Sequence, residues 1–142
     1  MVFDTSAILV ILFDEPERRH FNELIEADGT RIISAATFLE AALVVESRRG
    51  EAAGRELDLL LHRAKIIVVP VDAEQAEAAR VAWRKYGKGR HRAGLNSGDC
   101  FSYALAKISG EPLLAKGSDF AQTDIVRCPG VGSPNASGHI GI

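Results

Sequence analysis

Short apolar runs recur along the chain, each broken by a polar turn and followed by a longer stretch of helical spacing. Val2 and Phe3 suit a buried strand; Asp4-Thr5-Ser6 interrupts the run before Ala7 to Phe13 resumes it. Thr5 or Ser6 can cap a following helix by accepting a bond from a free backbone N–H. The pattern predicts a strand over residues 1–4 and a helix over 6–13. Glu15-Pro16-Glu17 opens a second helix, with proline suited to a first turn and acids facing the helix dipole. Phe21, Leu24 and Ile25 stripe it at i, i+3, i+4, and Asp28-Gly29 ends it. A strand over 31–34 centres on Ile32-Ile33. Ser34 then caps a helix over 35–49 that stops at Gly50. Phe38, Leu39, Ala41, Ala42, Leu43, Val44 and Val45 make that helix apolar nearly all round, so burial on most sides is expected. A helix over 52–64 follows, with Leu57, Leu60 and Leu61 turned to the core or to another subunit.

Ile66-Ile67-Val68-Val69 is β-branched throughout and reads as a strand stopped by Pro70. Asp72 caps a helix over 73–86, with Val81 inward and Trp83 at an edge. Gly87-Lys88-Gly89-Arg90-His91-Arg92-Ala93-Gly94 is a basic, glycine-rich loop. Asn96-Ser97-Gly98-Asp99 opens the last long helix, which runs through Tyr103, Leu105 and Ile108 to Gly110. A strand over 112–115, a loop over 116–120 and a short strand at Ile125-Val126 complete the pattern. Alternating strands and helices predict an α/β fold, a three-layer α/β/α sandwich with a mostly parallel central sheet. The domain spans 1–126; residues 127–142, rich in Gly, Pro and Ser, read as an irregular tail.

A chain of 142 residues suits one domain with a real core. The net charge of -2 carries no global basic field, so local charge has to be read instead. Two cysteines, Cys100 and Cys128, are too few for a disulfide framework and point to reduced thiols in a cytoplasmic protein. The longest apolar run, Ala7 to Phe13, is far short of a membrane span, and no basic segment precedes it as in a signal peptide.

Four acids stand out by context. Asp4 and Asp119 follow strands, Asp99 lies in a first helical turn, and Glu40 sits inside an apolar helix. In a parallel sheet these positions gather at one edge, where ligands bind. Each acid has a plainer reading: Asp4 as a helix cap, Asp99 as a partner of the helix dipole, Glu40 as a solvated edge residue, Asp119 as a turn former. Gathered together, they need a counter-charge. Two charges about 4 Å apart repel by roughly 4 kcal/mol at an effective dielectric near 20. Carboxylate oxygens favour Mg2+ or Mn2+, and the scattered histidines (His20, His62, His91, His139) argue against zinc.

Four stretches carry a resemblance. Val2-Phe3-Asp4-Thr5-Ser6-Ala7, Ser34 to Glu40, Leu95 to Ala106 and Pro112 to Ile125, in this order and spacing, resemble a PIN-domain ribonuclease, and most of all the VapC toxins of bacterial toxin–antitoxin modules. The resemblance spans residues 1 to about 126. It implies a Mg2+-dependent RNA endonuclease in which Asp4, Glu40, Asp99 and Asp119 form the catalytic quartet, with Asp4, Asp99 and Asp119 on the metal. It also implies that Ser6 supports the site and that Asp124 acts as an outer or second-metal acid. The implied partners are an antitoxin whose tail blocks the acidic pocket, a second copy in a homodimer, and structured RNA such as tRNA or rRNA.

An acidic pocket repels RNA, so flanking positive charge is required. Arg84, Lys85, Lys88, Arg90, His91 and Arg92 form the one dense basic stretch, and its glycines would let the loop mould to phosphates. Lys107 and Lys116 lie near the acidic segments. Trp83 and Tyr86 offer base-stacking rings, with packing the simpler reading. Two rivals stand beside the nuclease. One is a Mg2+-binding phosphatase or receiver domain; it lacks support because Ser6 stands where a second Asp would follow Asp4, and no paired acids precede a central acceptor. The other is a non-catalytic PIN-like scaffold, against which the four intact acids argue.

Overall fold

The computed structural model describes residues 1–130. Four parallel strands form one sheet: β1 (Val2–Phe3), β2 (Ile32–Ser34), β3 (Ile67–Val69) and β4 (Leu113–Leu114), in the order β3-β2-β1-β4. β1 is central, with Val2 opposite both Ile32 and Leu113 and Phe3 opposite Leu114. Side chains alternate across a strand, and the two layers follow from that. Phe3, Ile33 and Leu114 enter a core with helices α1 (Thr5–Leu12), α2 (Arg18–Ala27), α3 (Ala35–Arg49) and α4 (Glu51–Arg63). Val2 and Leu113 face the opposite way, against α5 (Ala73–Tyr86) and α6 (Ser97–Ser109). The predicted three-layer sandwich is present.

Caps explain most helix starts. Ser34 accepts from Ala36 N–H and Asp72 from Gln75 N–H, as the sequence predicts. α1 differs: its cap is Asp4, whose carboxylate accepts from Ser6 N–H, and Thr5 already lies in the helix. α2 begins only at Arg18, because Pro16 sits in the turn before it. α3 is buried along one face only, through Thr37, Ala41 and Val45; Leu39 and Leu43 are 56% and 61% exposed. Val81 and Ile108 also face solvent. β3 is an edge strand, which leaves Ile67 open. Leu57 is buried in the chain's own core and Leu60 and Leu61 pack against it.

The expected last strand at 125–126 is replaced by a single bridge between Leu113 and Arg127. Leu113 N–H donates to the Val126 carbonyl at 2.9 Å and Cys128 N–H to the Leu113 carbonyl at 2.9 Å. Cys128 is buried in the α1–α4 core, and both cysteines are free thiols. Of the tail read over 127–142, Arg127 and Cys128 are tied to β4 and the core, and residues 131–142 fall outside the described residues. Among the described residues no helix is long and apolar enough to cross a membrane.

Candidate active site

Strand ends and helix starts meet at one mouth of the sheet. Asp4 leaves β1 there and is 5% exposed. Its Oδ2 accepts from Ser6 N–H at 3.1 Å and from the Ser6 hydroxyl at 2.7 Å. Its Oδ1 accepts from the Ser102 hydroxyl at 2.6 Å. Ser6 Oγ in turn accepts from Lys116 N–H at 2.9 Å, tying the loop after β4 to the start of α1. A carboxylate this buried needs such hydrogen-bond donors to offset its desolvation. Asp4 thus caps α1 and at the same time sits at the mouth, so the cap does not exclude a role there.

Glu40 accepts a short hydrogen bond from the Thr5 hydroxyl through Oε1. Its carboxylate lies over the first turn of α6, where a Cβ on Gly98 would stand 2.2 Å from Oε2. Asp99 shares a capping box with Asn96: Asp99 N–H donates to Asn96 Oδ1 at 2.8 Å, and Asn96 N–H to Asp99 Oδ2 at 3.0 Å. Burial pushes the Asp99 carboxyl up to about 6; the bond from Asn96 opposes this, and the charges of Asp4, Asp119 and Glu40 add to it. Asp119 opens a 3-10 turn, Asp119–Gln122, and is exposed. All four acids thus act on one point. They stand apart, however: among the described residues no three His, Cys, Asp or Glu side chains converge closely enough to hold one ion directly.

The structure gives Asp124 other partners. It accepts from the Tyr103 hydroxyl at 2.5 Å and from Lys107 Nζ at 2.8 Å, and chiefly the bond from Lys107 holds its carboxyl below the usual range. It is not among the charges acting on Asp99. Lys116 Nζ bonds to Glu15 and lies 3.6 Å from Glu17. Both lysines are therefore already paired. The basic loop leads straight into α6, and backbone bonds close its base. Lys88 N–H donates to the Leu95 carbonyl and Leu95 N–H to Tyr86, each at 2.9 Å. Gly87 is required there because a Cβ would stand 2.3 Å from the Trp83 carbonyl oxygen. Arg90 stacks over the Trp83 ring at 4.1 Å, and Arg84, Lys85, Lys88 and Arg92 are exposed. Tyr86 packs on His91 and Tyr103.

Sequence reasoning missed Thr37, Gly98 and Ser102 as site residues. Ser102 and Thr37 are fully buried, and their hydroxyls lie 3.3 Å apart. The available signal was a hydroxyl three residues from a candidate acid, inside an apolar helix, at both Thr37 and Ser102.

The PIN domain model matches residues 1–126. The chain belongs to the PIN-domain family. Curated PIN-domain relatives share much of the sequence. Ribonuclease VapC30 of Mycobacterium tuberculosis is 63% identical over 125 residues, covering 88% of this chain and 95% of that protein. Ribonuclease VapC of Mycolicibacterium smegmatis is 61% identical over 125 residues, covering 88% and 97%. Among solved PIN-type structures, VapC20 of Mycobacterium tuberculosis, described as a sarcin-ricin loop cleaving toxin, superposes with a TM-score of 0.72 at 18% identity. That match covers 90% of this chain and 98% of that one, and at such identity it speaks to the fold alone.

Proposed function

We propose that the chain is a metal-dependent endoribonuclease and the toxin of a toxin–antitoxin pair, with Mg2+ as its cation and Mn2+ able to substitute. The observation that carries this is the placement of Asp4, Glu40, Asp99 and Asp119 around one mouth of the sheet in a chain of the PIN-domain family, where the charges of the other three act on Asp99. An excess of negative charge offered by oxygen donors alone suits a hard divalent cation. Mg2+ keeps several of its waters and takes one or two carboxylates directly. That habit fits four acids spaced too widely to close around one ion. Asp4, Asp99 and Asp119 would hold it, directly or through water. A bound cation there lowers the pKa of water and offsets charge building on the phosphate.

The chain's own groups do the rest. The donors on Asp4 fix its carboxylate in place. The Thr5 hydroxyl occupies one oxygen of Glu40 and leaves the other to orient the attacking water or take its proton. In-line attack leaves a 5′-phosphate and a 3′-hydroxyl. Structured RNA in the cytoplasm, tRNA or rRNA, is the substrate class this reading assigns.

Two surfaces support the partner assignments. A groove of about 360 Å³ between α1 and α4 is lined by Ile11, Leu12, Leu59 and Leu60, with Arg18, Arg63 and Glu56 among them, so two arginines outweigh one acid. Its chemistry suits an amphipathic antitoxin helix with acids along its flank. Leu39 and Leu43, one turn apart on the helix that carries Glu40, give a homodimer an apolar contact.

Purified protein is expected to cut RNA in Mg2+ and to stop when the cation is chelated. Asp4→Asn should keep its circular dichroism spectrum and lose cleavage altogether. An Asp4→Asn protein that still cuts in Mg2+ overturns the assignment. Turnover of a chromogenic phosphate ester by the wild type, with no RNA cleavage, would favour the phosphatase reading instead.

A further inference from the structure

The hydroxyls behind Asp4 form a chain whose direction can be worked out. An ionised carboxylate only accepts hydrogen bonds, so Ser102 must donate its single hydroxyl proton to Asp4 Oδ1, 2.6 Å away. With that proton committed, the 3.3 Å contact with Thr37 runs one way, from the Thr37 hydroxyl to Ser102 Oγ. The order is Thr37 on α3, Ser102 on α6, Asp4 after β1. Ser102 is 0% exposed and Thr37 1% exposed, so water does not compete for either bond.

A carboxylate has about four lone-pair sites, two on each oxygen. Ser6 fills both on Oδ2, through its N–H at 3.1 Å and its hydroxyl at 2.7 Å. Ser102 fills one on Oδ1. One site on Oδ1 is left for a ligand.

We propose that Ser102, aligned by Thr37, is a positioning residue that locks the carboxylate plane of Asp4 and leaves it to coordinate a cation through a single lone pair of Oδ1. The inference rests on the reading of Asp4 as a metal ligand and adds what holds that ligand in place. Three elements are coupled by it: α3, which carries Glu40, α6, which carries Asp99, and β1, which ends in Asp4. Groups that orient a ligating side chain typically change metal affinity or activity about 10–100-fold when removed.

The test uses Mn2+ as the probe, with binding followed by electron paramagnetic resonance on the full chain at a temperature where every variant is folded by circular dichroism. Ser102→Ala is expected to weaken Mn2+ binding about tenfold and to lower kcat for RNA cleavage with KM unchanged. Thr37→Val, which keeps the shape of the side chain but loses the donor, should weaken binding severalfold. Thr37→Ser should restore it. Ser102→Ala binding Mn2+ as tightly as the wild type overturns the positioning role and leaves Asp4 untouched as a ligand. A wild-type protein that binds no Mn2+ overturns both.

Discussion

At the scale of single residues, the site stores unfavourable charge, and Asp99 is where it shows. Its carboxyl is raised from 3.8 to about 6, first by burial and then by Asp4, Asp119 and Glu40. Between about pH 4 and 6 the folded protein holds a proton that the unfolded chain has already released. Stability of the metal-free protein therefore falls as pH rises through that window and stays lower above it. Asp99 is partly exposed, so solvent screening discounts the effect to about 1 kcal/mol. Asp99→Asn should melt about 3 °C higher than the wild type at pH 7.5 without metal, and its melting temperature should vary less between pH 4 and 6. An Asp99→Asn protein less stable than the wild type at pH 7.5 would sink this account. The acids were legible in the sequence because each was an anomaly: a charge after an apolar strand, or inside an apolar helix. Thr37 and Ser102 were not, since a hydroxyl among apolar neighbours is common and only the fold shows what it faces.

At the scale of elements, packing of α3 against α6 sets the site, and Gly98 is the contact. A Cβ there would stand 2.2–2.7 Å from the Glu40 carboxylate. The obstructed group is the end of a flexible side chain, so it can swing aside at little cost. Alanine is also the better helix former, by about 0.5–1 kcal/mol. Gly98→Ala should therefore match or exceed the wild-type melting temperature while cleavage drops at least tenfold, because Glu40 is displaced from the Thr5 hydroxyl. A Gly98→Ala enzyme with full activity would show that the position of Glu40 is not critical. The helix boundaries were largely readable from Ser34, Asp72, Asn96 and Gly110, whose cap chemistry is local. The inward faces of α3 and α5 were less so. Leu39, Leu43 and Val81 have the composition of core positions, and only the neighbouring layers decide which side of a helix is covered.

At the scale of the whole molecule, the parallel sheet was predictable from alternation alone, whereas the short bridge at Arg127 depended on a partner, Leu113, that no local pattern reveals. Charge distribution is the other global property. The chain carries -2 overall and collects acids at the mouth, so RNA must be drawn in against a local negative field. The proposed answer is the basic loop from Gly87 to Gly94, the segment that delivers the chain into α6 and Asp99. Backbone bonds join Tyr86 and Lys88 to Leu95 at its base, and Arg90 lies over the Trp83 ring. Each phosphate contact contributes about 0.7–0.9 to the slope of log binding constant against log salt. Replacing Arg90 and Arg92 with Gln should therefore weaken RNA binding at low salt and lower that slope by roughly 1.5. Cleavage of bound RNA at saturation should be nearly unchanged, since neither side chain belongs to the acidic mouth. A slope equal to that of the wild type in filter-binding titrations would remove the loop from the RNA-binding face. The cation that draws the substrate would then have to lie elsewhere, and Lys107 and Lys116, paired with Asp124 and Glu15, are poorly placed to supply it.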